Sequence, residues 1–269
     1  MPELPEVEAT CSYLRERIIN TAVIDSRCLW HRTIASHTPQ KFIRSIRDAR
    51  VTTVSRRGKF VVVELLREKP LFLFVHLRMS GSIDVISHQQ PLAVHDRVSI
   101  SLNNGRDIRF HDVRKFGRMY LTDDKNVITK NLGIEPLSDE FTPTALKDLL
   151  SKRHAQIKPL LLNQKIIAGL GNIYVDEALW KAKIHPQHIA SSISTRNISL
   201  LHNAIKSTLT EAIELLGTDF GDNVVHGGMY EPKAYGRTSE PCKRCGTPII
   251  RIVVGQRGTH LCTICQPLR

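Results

Sequence analysis

The sequence predicts an α+β chain in three consecutive parts, and three observations carry that reading. A segment of helical period opens the chain and is followed by short β-type runs up to about residue 122. Helical periodicity takes over after Gly133. A cysteine-rich tail with its own β-type run closes the chain. The expected boundaries are 1–132 for a β-sandwich domain with a leading helix, 133–225 for a helical domain, and 226–269 for the tail.

Each element has a local reason. Pro2 and Pro5 punctuate an extended start, after which Val7, Cys11, Leu14 and Ile18 recur on one helical face. Strands are expected over Val51–Val54, Phe60–Leu66, Leu71–Leu77, Val98–Leu102 and Ile108–Phe110, divided by turns such as Asn103-Asn104-Gly105. Short strands this closely spaced point to a sandwich. Helices are expected over Thr142–Lys152, Ile157–Leu162, Ile173–Ala182 and Ile198–Leu216. In the join Gln164–Asn172 (QKIIAGLGN), Gly169 and Gly171 let the backbone approach another surface, and Asn172 is expected to cap the next helix. Backbone N–H groups at such a start form a nest for phosphate, although glycine turns between helices are also common for purely structural reasons. There is no internal repeat.

Composition narrows the class. The 269 residues are 41% hydrophobic and 24% charged, which excludes a wholly disordered or collagen-like chain. No apolar run approaches the roughly 18 residues of a membrane span. The opening MPELPEVEAT carries three glutamates and no hydrophobic signal core, so a soluble intracellular protein is expected, with no membrane partner. Lys and Arg number 38 against 26 Asp and Glu, a net +12. Such an excess favours a polyanionic partner, the alternative being an indifferent basic surface. The tail sharpens the choice, because from Lys233 to Arg269 seven cationic residues face a single acid, Glu240.

Cys242, Cys245, Cys262 and Cys265 read C-x2-C-x16-C-x2-C, the spacing of a four-thiolate structural zinc site. One Zn2+ ion is therefore the expected cofactor. Two disulfides are the alternative, and an intracellular chain disfavours them. Between the two pairs, Ile249–Val254 is β-rich and Gly255-Gln256-Arg257-Gly258 a turn, so the tail reads as a β-hairpin pinned at its base. Arg257 would be held at its tip, toward a partner's phosphate or simply toward solvent. Cys11 and Cys28 lack ligand spacing and read as packing thiols.

The first three residues carry chemistry. A small residue after Met1 permits removal of the methionine, leaving Pro2 with a secondary amine. An α-amino group titrates near 7.7–8.0, roughly two units or more below lysine. Its neutral form can attack an aldehyde-like sugar carbon to make a Schiff base, with Glu3 moving the protons. Taken alone, a Met-Pro start is also an ordinary beginning.

The start MPELPEVEAT, RRGKF at 56–60, HLRMSG at 76–81, DVRKFG at 112–117, LLNQKIIAGLGNIYVDEALW at 161–180 and the cysteine tail together resemble the formamidopyrimidine-DNA glycosylase family. The resemblance spans essentially the whole chain. It is closer to the bacterial enzyme than to the endonuclease VIII branch, whose start usually reads Pro-Glu-Gly-Pro. It implies an N-terminal β-sandwich, a helix–two-turn–helix element at about 157–182 and a zinc finger. It also implies a bifunctional glycosylase and AP lyase of base excision repair. Such an enzyme excises oxidised purines (formamidopyrimidines, 8-oxoguanine) through a Pro2 Schiff base and cleaves by β,δ-elimination. Carried over motif by motif, Pro2 is the nucleophile, Glu3 the proton donor near the sugar, and Lys59 a proton donor that also meets phosphate. Arg257 assists δ-elimination and Glu6 lies at the lesion pocket. Met79, Arg114 and Phe116 fill the space left by the everted base, the guanidinium addressing the orphaned cytosine. His76, His95, Arg153, Lys158 and Asn172 are implied DNA contacts.

The implied partner is damaged double-stranded DNA, and the protein is expected to act as a monomer in the bacterial cytoplasm, on the nucleoid. The stretch Gly217–Arg237 departs most, being several residues shorter than the family's loop over an everted 8-oxoguanine. Formamidopyrimidine or abasic substrates are therefore expected to be handled better than 8-oxoguanine. Two other readings stand beside this one: an endonuclease VIII-like glycosylase for oxidised pyrimidines, and a non-catalytic binder of damaged DNA whose amine is blocked by a retained Met1.

Overall fold

The computed structural model of the chain describes residues 1–219 and 227–268. It divides into two compact units, one of Met1–Lys130 and one running from Asn131 to Thr218 and from Met229 onward.

The first unit opens with α1 (Leu4–Ile18), whose Leu4, Val7, Cys11, Leu14 and Ile18 are buried along one face. Then come β1 (Val23–Cys28), α2 (Pro39–Ile46), β2 (Arg50–Arg57), β3 (Phe60–Leu66) and β4 (Pro70–His76). The unit continues with β5 (Gly81–Ser87), β6 (Asp96–Leu102), β7 (Arg106–Asp112), β8 (Arg118–Thr122) and the short α3 (Asn126–Thr129). The strands form two antiparallel four-stranded sheets, ordered β1-β6-β7-β5 and β2-β3-β4-β8. One core joins the inward residues of both sheets (Val61, Val63, Leu73, Val75, Ile83, Ile100, Phe110) to the buried face of α1 and to Phe42 and Ile46 of α2.

Every expected strand is present. Those the residue pattern did not reveal, β1, β5 and β8, all lie at sheet edges. An edge strand pairs on one side only and tolerates Asp, Ser and Arg, as in VIDSRC and GSIDVIS, so its β signal is weak. Helix α2 starts on a Thr-Pro pair: Thr38 accepts the Lys41 amide at 3.3 Å and Pro39 occupies the first turn.

The second unit contains α4 (Pro143–Ser151), α5 (Ile157–Leu162), α6 (Asn172–Ala182), α7 (Thr195–Glu214) and the hairpin β9 (Ile250–Val254) and β10 (Arg257–Leu261). Thr142 caps α4, and Ser194 caps α7, which sets its start at Thr195 rather than Ile198. Phe141, Leu146, Leu161, Tyr174, Leu179, Ile205 and Leu209 are among its fully buried side chains. Of the stretch Gly217–Arg237, expected to be shorter than the family's loop, residues 220–226 lie outside the described residues. Among the described residues, no helix is long and apolar enough to cross a membrane.

Candidate nucleic-acid interface and metal centre

Pro2 is buried at the head of α1, where Glu3 takes the N-cap position. The Glu3 amide donates to Glu6 Oε2 at 2.8 Å and the Glu3 carboxylate faces the Glu6 amide, a reciprocal capping box. Both carboxylates are buried. One turn on, Glu8 accepts from Arg15 at 2.7 Å and from Arg56 at 3.0 Å, and Arg56 also reaches the Gly58 carbonyl at 3.1 Å. The start of α1 is thereby braced to the β2–β3 hairpin. Its two-residue turn, Gly58-Lys59, depends on a left-handed glycine (φ 57°), and Lys59 is buried.

The two histidines are set as hydrogen-bond donors. His76 Nδ1 accepts the Arg78 amide at 3.1 Å, and His95 Nδ1 lies 3.1 Å from the Arg97 guanidinium, which can only donate. Each ring therefore carries its proton on Nε2, and each is half-buried. Burial, then the charges of Arg78 and Lys59, hold His76 down at about 3.

Met79 and Phe116 are large apolar side chains exposed to 41% and 48%, on the β4–β5 and β7–β8 loops. The Arg114 guanidinium carbon lies 4.9 Å from the centroid of the Phe116 ring. Both loops hang on Asp112, a buried carboxylate that the motif DVRKFG contains but that local spacing does not single out.

In the second unit Arg153 is exposed after α4, its Nε donating to the Leu149 carbonyl at 2.8 Å. Lys158 lies inside: its ammonium is fully buried, 2.6 Å from Asp176 and 3.1 Å from the Gly258 carbonyl. Asn172 does not cap α6. Gly171 holds the N-cap position and Asn172 begins the helix, its Nδ2 donating to the same Gly258 carbonyl at 2.9 Å. The turn closes without it because Gln164 spans the join, donating to Leu162 and Leu170 carbonyls and accepting the Gly169 amide. Asp176 also accepts the His260 amide at 2.8 Å. Lys158, Asn172 and Asp176 thus seize the residues just after Arg257. Arg257 is exposed and starts β10, the turn itself being Gly255-Gln256, both left-handed. Buried Glu177 accepts the amides of Lys233, Ala234 and Tyr235 at 2.7, 2.8 and 2.9 Å and anchors the chain leading to the finger. Burial raises its carboxyl despite these donors. Neither Asp176 nor Glu177 has a sequence signal of its own, since each partner is distant in the chain.

The sulfur atoms of Cys242, Cys245, Cys262 and Cys265 all lie within 4.8 Å of one another. Zn–S bonds of about 2.3 Å at tetrahedral angles need sulfurs about 3.8 Å apart. Cys242–Cys265 at 4.0 Å and Cys245–Cys262 at 3.4 Å bracket that value. The four thiols fit one zinc ion. Trp180 Nε1 donates to Cys242 Sγ at 3.4 Å, and Arg244 stacks on the same indole.

Residues 1–119 match the formamidopyrimidine-DNA glycosylase N-terminal domain, residues 132–222 the formamidopyrimidine-DNA glycosylase H2TH domain, and residues 239–268 a zinc finger found in FPG and IleRS. The formamidopyrimidine-DNA glycosylase of Herpetosiphon aurantiacus is 44% identical over 274 residues, 99% of this chain and 100% of the relative. That of Protochlamydia amoebophila is 40% identical over 276 residues, 99% of each. Lactococcus lactis Fpg (MutM) bound to N7-benzyl-Fapy-dG DNA matches with a TM-score of 0.92 at 35% identity, over 99% of this chain and 100% of that one. The same protein bound to an oxidised-pyrimidine DNA scores 0.91 at 34% identity, over 99% of this chain and 100% of that one. MutM with carbocyclic 8-oxo-G DNA scores 0.91 at 35%, with the same coverage. With three matching models in chain order and relatives 40% or more identical over nearly every residue, the chain belongs to the formamidopyrimidine-DNA glycosylase family.

Proposed function

We propose that this enzyme excises oxidised purines from duplex DNA and cleaves the resulting abasic strand through an amine at Pro2. The observation that carries the reading is the head of α1, where Pro2 sits beside two buried carboxylates locked in a reciprocal cap. Removal of Met1 makes Pro2 a secondary amine. Attack on the sugar C1′ breaks the bond to the base and gives a ring-closed N-glycoside. Opening of the C1′–O4′ bond, with a proton delivered to O4′, then leaves the iminium, and Glu3 supplies that proton. Lys59 serves β-elimination and Arg257 δ-elimination. Met79, Phe116 and Arg114 enter the duplex as the base leaves, and His76, His95, Arg153, Lys158 and Asn172 serve DNA binding. Lys158 and Asn172 do so through the Gly258 carbonyl that they hold, which sets the chain beside Arg257. Glu6 lines the lesion pocket.

The enzyme works as a monomer, and formamidopyrimidine is preferred to 8-oxoguanine. The pyrimidine-specific reading gains some support from the Lactococcus relative, whose crystals include an oxidised-pyrimidine DNA. Borohydride trapping on duplexes carrying formamidopyrimidine, 8-oxoguanine, an oxidised pyrimidine or an abasic site separates these readings. The expected result is an adduct mapped to Pro2, formed fastest on formamidopyrimidine and abasic DNA. Pro2→Gly should lower trapping at least 100-fold while changing DNA affinity less than threefold. Equal losses would make Pro2 a structural residue, and a faster reaction on the oxidised pyrimidine would reverse the substrate assignment.

A further inference from the structure

Asp112 is the last residue of β7 and is 1% exposed. Its Oδ1 accepts the Ser80 hydroxyl at 2.5 Å and the Arg114 amide at 3.2 Å, and its Oδ2 accepts the Gly117 amide at 2.7 Å. Its own amide donates to the His95 carbonyl at 2.9 Å, and its carbonyl accepts Arg97 Nε at 2.7 Å. One residue therefore touches the segments that carry Met79, His95, Arg114 and Phe116.

The backbone of both apolar loops requires such a tie. Arg78, beside Met79, and Lys115, between Arg114 and Phe116, are left-handed at φ 59° and 61° without being glycine. That conformation is costly for such residues and persists where the surroundings over-determine it. The carboxylate brackets Lys115 from both sides, at Arg114 and at Gly117. At position 117 any Cβ would overlap the Phe110 ring and stand 3.1 Å from Asp112 Oδ2, so only glycine lets the amide reach the carboxylate. Ser80 joins the two loops a second time, its hydroxyl accepting the Arg114 amide at 3.1 Å.

We propose that Asp112 is the positioning residue of the DNA wedge: its carboxylate locks the Met79 loop and the Arg114–Phe116 loop in one register, so that they enter the duplex together. The proposal rests on the wedge role given to those three residues under Proposed function. All three groups facing the side chain are donors, and only a carboxylate offers acceptors to them all. An asparagine must turn its NH2 group toward one of them.

The test uses the full-length, zinc-loaded protein. The probe is a duplex with an uncleavable tetrahydrofuran abasic analogue and 2-aminopurine as the orphaned base, whose fluorescence rise reports wedge insertion. D112N should slow that rise at least tenfold. Trapping on a single-stranded abasic oligonucleotide, which has no orphaned base to replace, should stay within twofold of the parent. S80A, which removes one donor and keeps the Gly117 bond, should slow the rise about threefold. Insertion rates within twofold of the parent in D112N overturn the proposal, as does an equal loss of insertion and single-strand trapping. If D112N does not fold, S80A decides, and an unchanged rise there overturns it. A parent protein that traps on no abasic substrate would sink the amine reading alone, because the tetrahydrofuran duplex needs no amine.

Discussion

At His76 the inward ring nitrogen accepts the Arg78 amide while burial and two neighbouring cations keep the ring neutral. An unfolded chain protonates this histidine near 6.5, whereas the folded chain resists protonation down to about 3. Stability linked to His76 is therefore fully present above 6.5 and is lost as pH falls toward 3. His76→Gln should show a shallower loss of stability on acidification, measured by urea unfolding at pH 7.5 and pH 4.5. Parallel losses in parent and variant would remove His76 from the linkage. Cys11 shows the same physics in a thiol: burial pushes it up to about 12, and it donates to the Ser55 carbonyl, so it stays protonated within the core. The cysteine pattern was legible because its meaning lies in residue type and spacing. The protonation of His76 was not, because its causes come from a strand end and a hairpin turn.

At the scale of elements, the informative object is the join between α5, α6 and the β9–β10 hairpin. Lys158 and Asp176 form an ion pair with both side chains fully buried, and the pair also bonds to Gly258 and His260. Removing one partner leaves a buried charge without compensation, which typically costs about 3–5 kcal/mol. Asp176→Ala should destabilise the protein by that order in urea unfolding. The double variant K158M/D176L should recover much of the stability, because both charges leave together, yet Gly258 would be held by Asn172 alone. A single variant as stable as the parent would show that the pair holds nothing. The helices themselves were legible from Ile157–Leu162 and Ile173–Ala182, as was the glycine turn between them. What Asn172 does was not, because its partner stands 86 residues away. The edge strands β1, β5 and β8 escaped for a related reason, since Asp25, Ser26 and Arg27 in β1 and Asp84 in β5 interrupt the apolar runs and β8 is only five residues long.

At the scale of the whole molecule, the two units are stabilised differently. The first has one continuous apolar core between two sheets and a helix. In the second, the finger's own cluster comprises Cys242, Ile249 and Cys262, with Trp180 and Cys265 packed against it. So small a core relies on the metal for its folding free energy. Cys245→Ser, or chelation of zinc, should release one ion per chain and abolish tight DNA binding. It should also change Trp180 fluorescence, since the indole contacts Cys242. Amide exchange should rise in residues 239–268 while residues 1–130 keep their protection. Unchanged exchange after metal loss would mean that the apolar contacts suffice.

Residue pattern alone carries the class, the order of parts, the zinc ligands and the family. These rest on periodicity, on C-x2-C-x16-C-x2-C and on motifs that are contiguous in the chain. Folding alone settles that Lys158 is buried, that Asn172 and Lys158 share the Gly258 carbonyl, and that the Asp112 carboxylate ties two loops together. Each of those facts depends on which donors surround a buried polar group. Burial makes that match obligatory, and folding brings the matching donors from distant parts of the chain.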